Sequence, residues 1–345
     1  MKCSGCGTES NRKERVAASG RCPRCQLSFV LDPQDGAPFT DVTFADAIKA
    51  VSADGKLRWG VEHLYYELCR RMLGRYDRSK LPFVLGGIGT VAGFGATLGQ
   101  GNLLFVLLGL ALGPGIWVGR RVGRPLTAEL ERDHFDRIWA KWLASRPTPK
   151  GVIVRRTAPA AYRSAEPDLG DYSFDRAVIC DRARTVDLLL ANNFHFEHSA
   201  AVLSMDGHPK PAFDMVRGML QKNPKLQVFV LHDASAEGER LAHRLGTDQS
   251  WFGGRMGPGG VRIVDVGIRA RDAKKQRGLY VRRQSSADPA LLAGASTSER
   301  AFLSEFVLEL AALRPETILK GVFRAMLPAT ATESSDDAAD WDSFG

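Results

Sequence analysis

The chain has 345 residues, 44% of them apolar and 25% charged, which excludes a mostly disordered polypeptide and a membrane protein of many spans. Forty-seven basic residues against 39 acidic ones give a net charge of +8, compatible with an anionic partner such as nucleic acid or lipid headgroups without specifying either. Six cysteines in so long a chain do not make a disulfide scaffold, and four of them lie in the first 25 residues.

Those four form Cys3-x2-Cys6 and Cys22-x2-Cys25, with 15 residues between the pairs. Two such knuckles suit one tetrahedral Zn²⁺ held by the thiolates of Cys3, Cys6, Cys22 and Cys25. Gly5, Gly7 and Pro23 allow short turns that bring backbone N–H groups toward the sulfurs. Residues 1–30 therefore read as a zinc ribbon, and they resemble the short ribbons at the ends of many bacterial proteins. A closed four-sulfur site has no open position for a substrate, so its zinc is structural. The segment is polar, without the apolar core of a secretory signal. Cys69 and Cys180 lack a cysteine partner in sequence and read as small buried residues.

Residues 31–40 carry Pro33, Gly36 and Pro38 and read as a linker. Residues 41–80 form a helical region, broken at Asp54-Gly55. There Leu57, Val61, Leu64, Tyr65, Leu68 and Met72 make one apolar stripe at helical spacing. From Leu81 to Gly119 come 39 residues without a charged side chain. Hydrocarbon about 30 Å thick needs roughly 20 helical residues, so this run is too long for one span. Gln100-Gly101-Asn102 divides it into 81–99 and 103–119, two short transmembrane helices joined by a polar turn. Gly89-x3-Gly93, Gly95-x3-Gly99 and Gly109-x3-Gly113 have the spacing of close helix contacts.

Arg78 and Lys80 precede the run, and Arg120, Arg121 and Arg124 follow it. The positive-inside rule then puts both termini in the cytoplasm, where reduced cysteines also belong. Residues 41–80 would be juxtamembrane and lipid would be a partner. A buried hairpin of a soluble domain is the other reading of the run. Residues 124–147 make a further helix with Phe135, Ile138, Trp139, Trp142 and Leu143 on one face.

Over residues 152–284 the pattern becomes α/β. Strands are expected at 176–180, 200–205, 227–232 and 261–266, with helices at 183–193, 211–222 and 236–246. Alternation of this kind implies a parallel sheet covered by helices. A loop at 285–297, a helical pair at 298–327 and an acidic disordered tail at 333–345 complete the chain. The fold class is thus multidomain: ribbon, membrane hairpin, and a Toprim/Rossmann-like α/β domain.

The segments RAVICDRARTVD (176–187), AAVLSMDGHP (200–209) and VFVLHDASAEGERLAHRL (228–245) resemble the Toprim domain of topoisomerases, DnaG-type primases and related nucleases. The resemblance covers about a quarter of the chain. It implies an acidic Mg²⁺ site for phosphodiester chemistry, carried here by Asp181, Asp233 and Glu237. Asp181 stands where the family has Glu, and Ser235 where it has a second Asp. A shorter reach and one missing charge weaken such a site. Three readings stay open: a degenerate Toprim-like domain used for binding, an active Mg²⁺-dependent enzyme, or an unrelated domain whose acids cap helices.

Lesser signals are His195-x2-His198 as two metal ligands and His232 as an acid–base group beside Asp233. Arg269, Arg271, Lys274, Lys275, Arg277, Arg282 and Arg283 form a basic patch suited to nucleic acid or lipid phosphates, with a solvated surface as the plain alternative. The tail, ending DWDSFG, reads as a protein-docking segment or a solubilising one. The expected function is a membrane-anchored scaffold or binding protein without catalysis. The alternative is a nuclease-like phosphoryl-transfer enzyme, in which a metal would stabilise charge on the phosphate.

Overall fold

The computed structural model describes residues 1–77, 127–128, 130–154, 174–255, 260–276 and 278–327. The uncharged run 81–119, Arg277 and the tail 333–345 lie outside them, as does the start of the 124–147 helix. Among the described residues, no helix is long and apolar enough to cross a membrane.

The ribbon is two matching knuckles. In each, the first cysteine's N–H donates across the turn: Cys3 to Thr8 at 2.9 Å and Cys22 to Leu27 at 2.9 Å. Gly7 and Gln26 take the left-handed conformation after the second cysteine of each knuckle, which lets the chain fold back. A short helix α1 (Arg12–Ala17) lies between the knuckles, started by an Asn11–Glu14 capping box.

Three helices follow: α2 (Asp41–Val51), α3 (Val61–Asp77) and α4 (Arg132–Ser145). The break expected at Asp54-Gly55 is present, with Ala53, Asp54 and Gly55 all at positive φ. Leu64, Tyr65 and Leu68 are buried, as their stripe implies; Leu57 falls in the connecting turn, outside α3.

The α/β part runs β1 (Arg176–Cys180), α5 (Ala183–Ala191), β2 (Ala200–Ser204), α6 (Lys210–Lys222), β3 (Gln227–Leu231), α7 (Leu241–Thr247) and β4 (Arg262–Asp265). The four strands form one sheet in the order β2-β1-β3-β4, with every pair parallel. The helix expected over 236–246 is divided: a single turn at Ala236–Glu239 ends at Arg240, where α7 begins. The C-terminal part is β5 (Val281–Arg282), α8 (Thr297–Glu305), β6 (Phe306–Val307) and α9 (Pro315–Met326). Between the two helices of the expected pair the chain is extended. β6 pairs antiparallel with β5, and Leu308 bridges to Ala234 beside the end of β3.

Strand residues alternate between two cores, as period-2 geometry requires. Ala177, Ile179, Val228 and Val230 face α6, α7 and the pair Trp251–Phe252. Val178, Cys180, Phe229 and Leu231 face a larger core shared with Phe44, Tyr66, Leu68, Phe135, Val186, Leu310 and Val322. That core runs continuously from Val30 to Met326, so α2, α3, α4 and α9 form one layer over the sheet.

The chain leaves this layer at the end of α3 and returns beside it. Leu73 lies against Gly278, two residues before Tyr280, which bridges to Thr127. Tyr65 donates to the Leu130 carbonyl at 2.8 Å.

The ribbon is fixed to the helical layer through Asp41. This fully buried carboxylate accepts from the Val30 and Leu31 N–H groups, Leu31 at 2.7 Å, and pairs with Arg146 at 3.2 Å. Arg146 also donates to the Ser28 carbonyl at 2.7 Å. Asp41→Ala leaves two buried amides without their acceptor and takes the carboxylate partner from the Arg146 guanidinium. It is expected to lower unfolding stability by about 2–4 kcal/mol, read as a shift in the denaturant midpoint.

Candidate functional site

In the order β2-β1-β3-β4 the chain crosses over β1 between β2 and β3. The crevice outside the carboxyl ends of β1 and β3 is therefore a topological switch point, where open parallel sheets hold their ligands. Asp181 follows β1 directly, and His232 and Asp233 follow β3. The structure thus brings two of the three expected acids together. The Asp233 N–H donates to Asp181 Oδ2 at 2.9 Å, and the Asp181 N–H continues the ladder to the Leu231 carbonyl.

The crevice is closed by the chain's own residues. Asp233 has no solvent exposure. Its Oδ1 accepts from the Leu310 N–H at 2.7 Å. Its Oδ2 faces Arg182 Nε at 3.2 Å and Arg184 Nη2 at 3.5 Å. Arg184 also pairs with Glu309 at 3.1 Å, and Glu309 accepts from Arg132 at 2.9 Å and from the Tyr66 hydroxyl at 3.0 Å. The Leu308–Ala234 bridge, with N–H···O distances of 2.9 and 3.2 Å, lays the 308–310 segment against the residues that follow β3.

Glu237 stands apart. Its side chain is 57% exposed and bound by both terminal nitrogens of Arg283, at 2.9 and 2.7 Å. That guanidinium holds the Glu237 carboxyl below its usual range. The three acids expected to share a metal do not gather: among the described residues the four ribbon cysteines form the cluster of metal-ligand side chains. Ser235 occupies the helix-cap position, its Oγ accepting from the Gly238 N–H at 3.0 Å.

The buried pair is electrostatically strained. Burial and then the neighbouring Asp233 push Asp181 up to about 7. Burial also raises Asp233, and outweighs its two arginines. Asp181 Oδ1 is buried with no hydrogen-bond partner.

His232 is also fully buried, its Nε2 2.9 Å from Asp265 Oδ1 and its Nδ1 2.7 Å from the Asp233 carbonyl. Burial disfavours its cation, but the bond and charge of Asp265 win and raise its pKa. Gly238 and Gly267 press on this ring so closely that a Cβ at either would collide with it. His232 is therefore a packed residue, hydrogen-bonded to Asp265, that joins β3 to β4, with no solvent exposure of its own.

The lesser signals resolve similarly. His198 stacks on Phe323 at 4.9 Å and contacts Phe194, and it forms no metal cluster with His195. In the basic patch, Arg269 pairs with Glu239 and Asp265, Arg271 and Lys275 with Asp272, and Arg283 with Glu237. Lys274 donates to Ser298, and Arg282 lies over Phe306. Cys69 and Cys180 are buried.

The ribbon fits a metal. Its four Sγ atoms lie within 4.8 Å of one another, with Cys3–Cys25 at 3.5 Å and Cys6–Cys22 at 3.6 Å. Tetrahedral Zn–S bonds near 2.3 Å place sulfurs about 3.8 Å apart. The Gly5 N–H points at Cys3 Sγ at 3.4 Å. Hydrogen bonding with the Thr8 side chain and backbone lowers Cys6 to about 6, whereas, against the lowering bond from the Leu27 backbone, burial and the neighbouring cysteines push Cys25 up to about 12.

Sequence reasoning missed Arg182, Arg184, Glu309 and Arg132. A signal existed for the first two, since basic residues beside an acid at a strand end can neutralise it. Glu309 is a lone acid in an apolar run. Comparison with models of known families, with curated proteins and with solved structures finds no match to this chain.

The raised pKa of Asp181 makes stability depend on pH. Its contribution is full below about pH 3.8 and is lost as pH rises through about 7. Asp181→Asn keeps an acceptor for the Asp233 N–H and removes the titration. Denaturation midpoints compared between about pH 4 and 7 are expected to fall less in the variant than in the parent.

Proposed function

We propose that this chain is a membrane-anchored binding or scaffold protein of the cytoplasmic face. In this reading a structural zinc ribbon and a divergent, non-catalytic Toprim-like domain form one body, tethered by a hairpin over 81–119. The observation that carries it is the occupancy of Asp233: both carboxylate oxygens are bound by Arg182, Arg184 and the Leu310 amide. A carboxylate so paired has no free edge for Mg²⁺, which leans on one or two carboxylates and keeps its waters.

The hairpin is supported by where the chain departs and returns. Leu73 and Thr127 flank the Gly278–Tyr280 turn, so the intervening residues begin and end at one place on the body. The 39-residue uncharged run lies within this interval, and neighbouring points of exit and re-entry suit a chain that doubles back between them. The zinc identity rests on four sulfurs in tetrahedral reach and on the spacing of two knuckles. Ion pairs engage Arg269, Arg271, Lys275 and Arg283 of the basic patch, which leaves nucleic-acid binding as a lesser role, and the acidic tail is proposed as a protein-docking segment.

Metal analysis of the purified chain is expected to give one zinc per molecule, falling near zero in Cys22→Ser. With phospholipid vesicles on a density gradient, the chain should float, and a variant lacking 81–119 should stay at the bottom. Incubated with DNA or RNA and Mg²⁺, it should show no cleavage that Asp233→Ala removes. Such cleavage would instead establish the Mg²⁺-dependent phosphoryl-transfer reading.

A further inference from the structure

A cavity of about 440 Å³ lies between the helical layer and α5, within the size range of small-molecule sites. It opens beside the helix fed by β1, on the carboxyl side of the sheet. Its walls are mainly apolar: Val61 and Trp139 from the helical layer, Val152 and Ile153, Leu188 from α5, and Ile318 from α9. Trp139 is held in place by Trp59, edge to face at 6.2 Å, and by Phe44 at 6.3 Å. Such a preformed apolar space is filled at little cost in protein order.

The charges on the cavity wall select the ligand. Arg184 reaches it, but that guanidinium is already spanned by Glu309 and Asp233. Asp187 is engaged by His208 at 2.7 Å. His63 is buried, and burial lowers it to about 4, so it adds no positive charge near neutral pH. Glu62, half-buried in the first turn of α3, has no hydrogen-bond or ion-pair partner among the described residues. Among the described residues, Glu62 is thus the acid of this wall without a bound partner, although Arg184 feels its charge, and it shares the lining with the Trp139 indole.

We propose that this cavity binds a small organic cation, a protonated amine on an aromatic or branched aliphatic body. Its ammonium meets the Glu62 carboxylate, and its body packs on Trp139, Val152 and Leu188. An ammonium gains from both partners, since a carboxylate supplies a charged hydrogen bond and an indole attracts cations. Among the described residues, an anion would meet Glu62 and Asp187, and as a cation only Arg184, which is already paired. This site abuts the closed crevice at Asp233, sharing Arg184 and Leu310 with it, and holds whether or not the chain is membrane-bound.

The test is calorimetric titration of the full chain with 2-phenylethylamine, the neutral 2-phenylethanol and the anionic 3-phenylpropionate. The amine is expected to bind at least about tenfold more tightly than the alcohol, the value of one charged hydrogen bond. Propionate binding should be weakest. Glu62→Gln should erase the amine's advantage while leaving alcohol binding and the circular dichroism spectrum unchanged. Leu143→Trp, which narrows the cavity from a partly exposed wall position, should weaken amine and alcohol alike. Equal affinity for amine and alcohol, preference for the propionate, full amine binding by Glu62→Gln, or no binding of any probe would overturn the proposal.

Discussion

A carboxylate removed from water has to be answered by donors, and the arrangement around Asp233 follows from that requirement. Its side chain is at the carboxyl end of a central strand, where no solvent reaches. The donors come from three distant parts of the chain: Arg182 and Arg184 at the start of α5, and the Leu310 amide after β6. Arg184 then needs Glu309, and Glu309 is shared with Arg132 and Tyr66 from the helical layer. One buried charge thus ties the sheet, the C-terminal segment and two N-terminal helices together. Removing Arg184, the member shared by Asp233 and Glu309, leaves both carboxylates short of a partner in an apolar setting, which is costlier than the pair is favourable.

The parts of the molecule set by local spacing could be read from the sequence. The two CxxC knuckles, the four strands and the alternation with helices appear where period and turn residues put them. What could not be read was set by partners far away in sequence. Asp233 and Glu237 are four residues apart and share a motif, yet one is buried among arginines and the other lies on the surface with Arg283. No local pattern distinguishes those fates, because Leu310 and Arg283 reach them from 77 and 46 residues away. Ser235 was legible in a different sense: a serine at a helix start has capping as its plain role, and it caps Gly238.

Asp41 illustrates the same dependence on distance at the other end of the chain. The segment after the ribbon carries Pro33, Gly36 and Pro38, which suggests a free linker. The short 3-10 turn Pro33–Asp35 begins with Asp32, which is paired with Arg15 at 2.8 Å. With Asp41 gripping the Val30 and Leu31 amides, the ribbon is a fixed part of the body. The four-cysteine cluster and a buried carboxylate then stand in series, so the ribbon and the packing of α2 are linked.

The continuity of the larger core has a practical consequence for dissecting this protein. Val178, Phe229 and Leu231 owe their burial to side chains from α2, α3, α4 and α9. An excised fragment spanning only the parallel strands would present that whole greasy flank to water and self-associate. Any minimal unit must retain both the amino-terminal helices and the carboxyl-terminal one.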